Sequence, residues 1–238
     1  MVCDLERNRV LDLFPERNAD VVAEWLARHP GVEIIARDRA GIYAEGARRG
    51  APEAAQIADR WHLLANLGEA LLSEIKNQGF KGSRATVYRW IAALKQQPQS
   101  SKSEKSRPWR SPSRRACAWL LGQDPQSCDT KTECFLKHVY EYAPQLSAAG
   151  HLSRRLAAIL RGDYASLLEG WIAEAGDSEL ASLAAGISRD IEAVRGAIKH
   201  RWTTSPVEGQ INRLKTLKRQ MYGRAGYALL RSRVLMAA

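Results

Sequence analysis

Residues 32–64 read VEIIARDRAGIYAEGARRGAPEAAQIADRWHLL, and the order of patterns inside this stretch decides the fold class. Val32-Glu33-Ile34-Ile35-Ala36 is a short β-branched run leading to Asp38, Gly41 to Gly50 is a short helical segment, and Ala54 to Ala58 is a second buried strand. Trp61 then opens a helix expected to reach Lys76. Short apolar runs alternating with helical stretches specify a mixed α/β layer. Outward toward the N-terminus, Val2-Cys3-Asp4-Leu5 and Val10-Leu11-Asp12-Leu13-Phe14 flank the polar turn Arg7-Asn8-Arg9 and read as a hairpin. Asp20 to His29 reads as a helix closed by Pro30-Gly31, and no further strand is legible between Phe14 and Asp20.

Toward the C-terminus the strand signals stop. Residues from about 65 to 200 read as helices interrupted by one linker, Gln96 to Pro112, rich in Gln, Ser, Lys and Pro and poor in apolar residues. Tyr164, Leu167, Leu168, Trp171 and Ile172 are expected on one helical face. Leu180, Leu183, Ile187, Ile191 and Val194 form an apolar stripe at spacings 3, 4, 4 and 3. A last long helix follows Ser205-Pro206, with Val207, Ile211, Leu214, Leu217 and Met221 expected on its buried side.

The 238 residues, 45% of them apolar, suffice for a sizeable core. Lys and Arg number 36 against 26 Asp and Glu, a net +10 that suits a phosphate-bearing partner. The distribution says more than the total. Residues 81–115 carry +9 and residues 207–238 carry +6, leaving the other 171 residues at −5, so the basicity is two local patches. The four cysteines, at 3, 117, 128 and 134, form no C-x-x-C pair, and neither a signal peptide nor a membrane-spanning run is legible. A reduced, cytoplasmic location with no membrane partner is the expectation. Cys128, Cys134 and His138 have irregular spacing and no obvious fourth ligand, which favours free thiols over zinc.

Three acids stand out by placement: Asp4 on the first strand, Asp38 at the end of a later strand, and Glu208 in the first turn of the last long helix. Carboxylates are the hard oxygen ligands that Mg²⁺ takes, and paired divalent ions stabilise both the attacking and the leaving oxygen of a phosphodiester displacement. Each acid also has an ordinary structural reading. Asp4 could be an exposed strand acid and Asp38 a turn former, while Ser205-Pro206-Val207-Glu208 fits a capping box with Ser205 as N-cap. Against that reading, Glu208, Asn212, Lys215 and Arg219 follow at spacings 4, 3 and 4, which lines one helix face with a carboxylate and a row of phosphate-binding groups.

Asp38-Arg39-Ala40-Gly41, Ala58-Asp59-Arg60-Trp61-His62-Leu63-Leu64, and Pro206-Val207-Glu208-Gly209-Gln210-Ile211-Asn212-Arg213-Leu214-Lys215 with Lys218-Arg219-Gln220-Met221-Tyr222-Gly223-Arg224 together resemble the DDE transposases of bacterial insertion sequences of the ISL-three type. The resemblance runs over essentially the whole chain. It implies an RNase H-like catalytic core interrupted by a mostly helical insertion, with a helical C-terminus: residues 1–65 as the first part of the core, 66–200 as the insertion with its linker at 96–112, and 201–238 as the part carrying the Glu. It further implies that Asp4, Asp38 and Glu208 bind catalytic Mg²⁺ or Mn²⁺. Asp59 competes with Asp38 for second place, because Asp59 and His62 resemble an Asp-x-x-His motif that accompanies the triad in related transposases. His62 is then a supporting residue, with a packed core histidine as the alternative.

Lys81 to Ile91 resembles the recognition helix of a helix-turn-helix, which places Arg84 and Arg89 on DNA beside Asn212, Lys215, Lys218, Arg219 and Arg224 of the C-terminal motif. Family members normally begin with a DNA-binding region that includes a zinc segment, whereas Met1 here stands next to Asp4. The expected function is metal-dependent DNA cleavage and strand transfer in transposition, with double-stranded DNA as partner and a second copy or a full-length transposase as further partners. The alternative is a catalytically inactive DNA-binding remnant or regulator.

Overall fold

The computed structural model describes residues 1–38, 40–79, 112–124, 127–162, 164–222, 224 and 226–236. Arg84, Arg89 and the linker except for Pro112 lie outside them. The chain divides into two compact units, one of Met1–Leu63, Leu160–Ala165 and Ile187–Ala238, the other of Leu64–Ile159 and Ser166–Gly186.

The first unit is the α/β one. Strands β1 (Val2–Asp4) and β2 (Arg9–Asp12) pair antiparallel, as their sequence pattern requires. The turn between them is closed by the Asp4 carboxylate and by Asn8, whose φ of 50° lies in the left-handed region that Asn tolerates. Helix α1 (Ala19–Ala27) starts where the Asn18 side chain accepts the Val21 N–H at 2.9 Å, one residue before the expected Asp20. Strand β3 (Ile34–Arg37), helix α2 (Gly41–Gly50) and strand β4 (Ala55–Ala58) form a β–α–β unit with the two strands parallel. The two strand pairs form two separate two-stranded sheets among the described residues.

Two glycines set the approach of α1 to α2. A Cβ on Gly46 would stand 2.7 Å from the Val22 Cβ, and one on Gly50 would stand 2.4 Å from the Ala23 carbonyl oxygen. Trp25, Leu26 and Ala47 form the resulting core, against which Val2 of β1, Phe14 and Ile35 of β3 pack, so both sheets share one apolar centre. The Trp25 indole N–H donates to Asp12 at 3.1 Å, which satisfies the polar edge of an otherwise buried ring.

Helix α3 (Arg60–Asn77) leads from β4 into the second unit, which continues with α4 (Arg114–Leu121), α5 (Thr130–Tyr142), α6 (Pro144–Arg161), α7 (Leu168–Gly176) and α8 (Ala181–Ser188). It is a helical unit with no strand among its described residues. Leu71, Ile75, Leu121, Leu146, Leu156, Trp171 and Leu180 are fully buried in it, and the Trp171 indole N–H donates to the Leu152 carbonyl at 2.8 Å. Ser113 and Asp129 cap α4 and α5 through the Ala116 and Thr132 N–H groups. Cys117 is buried there, and burial pushes its thiol up to about 12, which makes it inert; all four cysteines are free.

The chain returns to the first unit with α9 (Ile191–Lys199), α10 (Ser205–Gln220) and α11 (Tyr227–Met236). Three expectations need correction here. Leu168 and Trp171 are buried, but Tyr164 and Leu167 are 56% and 55% exposed. A 3₁₀ turn, Ala165–Leu167, precedes α7, so one 3.6-residue period does not run through the whole set. The stripe from Leu180 to Val194 belongs to two helices, broken between Ser188 and Ile191. Val207, Ile211, Leu214, Leu217 and Met221 do lie on the more covered side of helix α10, as expected, but they are only partly covered and the helix has no fully buried residue.

Candidate active site

Strands β3 and β4 run parallel and in register, with Arg37 opposite Ala58, so the residues that follow them leave the sheet at the same edge. Those residues are Asp38 and Asp59, and the Asp59 N–H donates to the Arg37 carbonyl at 3.0 Å. The carboxyl edge of parallel strands is where α/β folds gather functional groups, because the loops there converge while the strands stay fixed. Beneath the edge the Arg37 guanidinium is buried and makes four hydrogen bonds. It pairs with Asp190 at 2.8 Å, and it donates to the Gln56 side chain at 2.6 Å and to the Asp38 carbonyl at 3.1 Å.

Asp38 and Asp59 have different surroundings. One oxygen of the half-exposed Asp38 accepts the Ala40 N–H at 3.0 Å, which fixes the turn into α2, and the other lies 3.8 Å from Arg17. That leaves lone pairs open to a further partner. Asp59 is 1% exposed. Its Oδ1 accepts the N–H groups of Trp61 at 2.7 Å and His62 at 3.2 Å, capping α3, and its Oδ2 accepts the Thr204 N–H and hydroxyl, both at 2.6 Å. Burial works to raise the Asp59 pKa, but the bonds from the Thr204 side chain and backbone, then those from His62 and Trp61, outweigh it and hold the carboxyl below its ordinary value. His62 is half-buried, with its ring edge-on to exposed Trp61 at 4.9 Å.

Thr204 starts α10. It is the N-cap residue, with Ser205 and Pro206 as the first two helical positions, which puts Glu208 at the fourth, so the capping box read from the sequence does not form. No side-chain cap bond closes this helix start, and the Thr204 hydroxyl donates to Asp59. Glu208 is exposed one turn on, and its backbone N–H donates to the Thr204 carbonyl at 3.1 Å. No described residue hydrogen-bonds its carboxylate. Two residues later Gln210 donates from its side-chain amide to the Asn8 carbonyl at 3.0 Å, tying α10 to the hairpin that carries Asp4.

Asp4 itself is engaged in its turn. Oδ1 accepts the Glu6 and Arg7 N–H groups at 2.9 and 3.1 Å, and Oδ2 meets the Arg7 guanidinium at 3.1 Å. The backbone bond from Arg7, more than any other contact, holds the Asp4 carboxyl below the ordinary range. Among the described residues no three His, Cys, Asp or Glu side chains converge as a metal site. Between the hairpin turn and the start of α10 lies a cleft of about 430 Å³ lined by Leu5, Glu6, Arg201, Trp202, Thr203 and Pro206, with the Arg201 guanidinium 5.4 Å from the Trp202 ring centre.

Asn212, Lys215, Lys218, Arg219 and Arg224 are all exposed. Lys215, Lys218 and Arg219 border a second open cleft with Tyr222, and none of the three has a carboxylate partner among the described residues. Sequence reasoning missed Thr204, whose partner lies 145 residues away, and Gln210, whose partner lies 202 residues away. No local period or cap pattern signals such pairs.

Neither the curated proteins nor the solved structures compared with the chain gave a match. A family model described as Transposase, that of the ISL3-type DDE transposases, matches residues 1–234, nearly the whole length. That span takes in the strand edge with Asp38 and Asp59 and the helix with Glu208 and its basic face, and the chain belongs to this transposase family.

Proposed function

We propose that the chain is the catalytic part of a DNA transposase, one that cleaves and joins DNA strands with the help of Mg²⁺ or Mn²⁺ held by Asp4, Asp38 and Glu208. The observation that carries the proposal is the placement of Glu208. It is exposed, with no partner for its carboxylate among the described residues, at the start of a helix whose outer face presents Asn212, Lys215 and Arg219. That helix is fastened to the sheet edge bearing Asp38. Glu208, with no partner for its carboxylate among the described residues, and Asp38, whose oxygens keep open lone pairs beside the Ala40 N–H and Arg17, fit a hard cation. Asp4 fits on condition that it releases its bridge to Arg7. Divalent ions, when bound, stabilise charge on the attacking and leaving oxygens of the phosphodiester.

In this reading α10 lies along the DNA backbone, with Lys215, Lys218, Arg219 and Arg224 neutralising phosphates and Asn212 donating to them. Arg84 and Arg89 extend the contact from the segment outside the described residues. The first unit is read as the RNase H-like core and the helical second unit as the insertion. The family and the free basic face both support double-stranded DNA as the partner. No helix among the described residues is long and apolar enough to cross a membrane, and a cytoplasmic site of action is part of the proposal.

A second reading is a DNA-binding remnant or regulator without catalysis, and the engaged state of Asp4 favours it. One experiment separates the two. Duplex DNA carrying the ends of the element is incubated with the chain in Mg²⁺, Mn²⁺ or EDTA, beside Glu208→Gln. Metal-dependent strand cleavage that disappears in the variant supports catalysis. Equal DNA binding by both proteins with no cleavage in either supports the remnant.

A further inference from the structure

Asp59 is buried at the same strand edge as the half-exposed Asp38, yet its bonding capacity serves the protein itself. One oxygen holds the first turn of α3 and the other holds Thr204, so a single side chain joins β4, α3 and α10. One further contact ties the same crossing: the Arg60 guanidinium donates to the His200 carbonyl at 2.8 Å. The connection from α9 to α10 is thereby fixed at the sheet edge immediately before the turn that carries Glu208.

The two bonds to Thr204 are short and charge-assisted, and they are shielded from water because Asp59 is buried. No side chain caps the helix from within, and the Thr204 hydroxyl donates to Asp59. The start of α10 is therefore secured from outside the helix, by the strand edge, and not by its own cap. Helix α10 lacks any fully buried side chain, so its start is held by specific bonds, this clasp and the one from Gln210 to the Asn8 carbonyl, more than by packing.

We propose that the Asp59–Thr204 clasp is a positioning device: it anchors the first turn of α10, the turn that carries Glu208, at the strand edge that bears Asp38. Asp59 acts through Thr204 and is not itself a metal ligand, which distinguishes it from Asp38. The inference rests on the reading of Asp38 and Glu208 as metal-binding carboxylates. Groups that orient ligands from behind cost roughly 10–100-fold in metal affinity when removed, although they never touch the ion.

The test is a Mn²⁺ titration of the whole chain followed by thermal unfolding, on wild type, Glu208→Gln, Thr204→Val, Thr204→Ser and Asp59→Asn. Wild type is expected to gain stability with Mn²⁺ and Glu208→Gln to lose that gain. Thr204→Val is expected to melt below wild type in EDTA, as the loss of a buried charge-assisted bond requires, and also to need about tenfold more Mn²⁺ for the same gain, and Thr204→Ser to restore the wild-type response. Asp59→Asn places an amide donor or a poorer acceptor against Thr204 and is expected to behave like Thr204→Val or worse; if it does not fold, the Thr204 pair still decides. An unchanged Mn²⁺ response in Thr204→Val, with Glu208→Gln unresponsive, overturns the clasp and leaves the metal reading standing. A lower melting temperature in EDTA with an unchanged Mn²⁺ midpoint makes the clasp structural only and overturns the inference. Absence of any Mn²⁺ effect on wild type overturns the metal reading and the clasp's role with it.

Discussion

A carboxylate that closes its own turn has a structural job to give up before it can take another. Asp4 holds two backbone N–H groups and the Arg7 guanidinium, and an amide in its place keeps an acceptor for the backbone while losing the charge. Asp4→Asn is therefore expected to fold normally and to weaken Mn²⁺ stabilisation as Glu208→Gln does. A full Mn²⁺ response in Asp4→Asn would reduce Asp4 to a turn former. Asp12 offers a cleaner electrostatic case. Burial works against its charge, but the hydrogen bond from Arg231 at 2.6 Å, with further bonds from the Leu13 N–H and Trp25, holds its pKa below the ordinary 3.8. A carboxyl depressed in the folded state contributes stability that is fully present above the unfolded value and is lost as pH falls through the folded one. Wild type should therefore lose stability below about pH 4, and Asp12→Asn should be less stable at neutral pH and show a flatter acid limb in a melting series from about pH 7 to about pH 2.5.

At the level of elements, the crossing of α1 and α2 depends on missing side chains. Gly50→Ala drives a Cβ to 2.4 Å from the Ala23 carbonyl oxygen, a backbone atom that cannot swing aside, so the helices must separate. The expected cost is about 1–3 kcal/mol. A Cβ on Gly68, inside α3, would meet nothing within 4 Å, so Gly68→Ala should be neutral or add up to about 1 kcal/mol by helix propensity alone. Comparing the two melting temperatures isolates close approach from propensity, and equal shifts would contradict the tight crossing. Elements with a local signal were legible in the sequence: the hairpin around Asn8, the α2 helix from Gly41 to Gly50, and the strands ending before Asp38 and Asp59. The candidate site was legible only as separate motifs. The bond from Thr204 to Asp59 joins residues far apart in the chain, and the helix begins one residue before the start that local rules read from Ser205. The half-covered face of α10 was hidden for a related reason. An apolar stripe states which side of a helix turns inward, but not how much protein lies there to cover it.

For the whole molecule, the partition of charge predicts how DNA binding responds to salt. Each phosphate neutralised releases condensed counterions, so the affinity falls with salt at a slope of roughly −0.9 per contact. Replacing Lys215, Lys218 and Arg219 by Ala should reduce the magnitude of that slope by roughly one per residue, as read by fluorescence anisotropy across a salt series. An unchanged slope would remove α10 from the DNA surface. The pairing of Asp12 with Arg231, and of the Tyr227 hydroxyl with the Leu13 carbonyl at 2.5 Å, also governs the order of events during synthesis. The opening hairpin can find its last partner only after the ribosome has made the residues of α11. At about 5–20 residues per second, roughly 10–35 s pass between the emergence of β4 and of that helix. Through that interval the hairpin and the β–α–β unit wait on the nascent chain while the helical unit is being made, so the strand edge and α10 meet only after that unit has been synthesised.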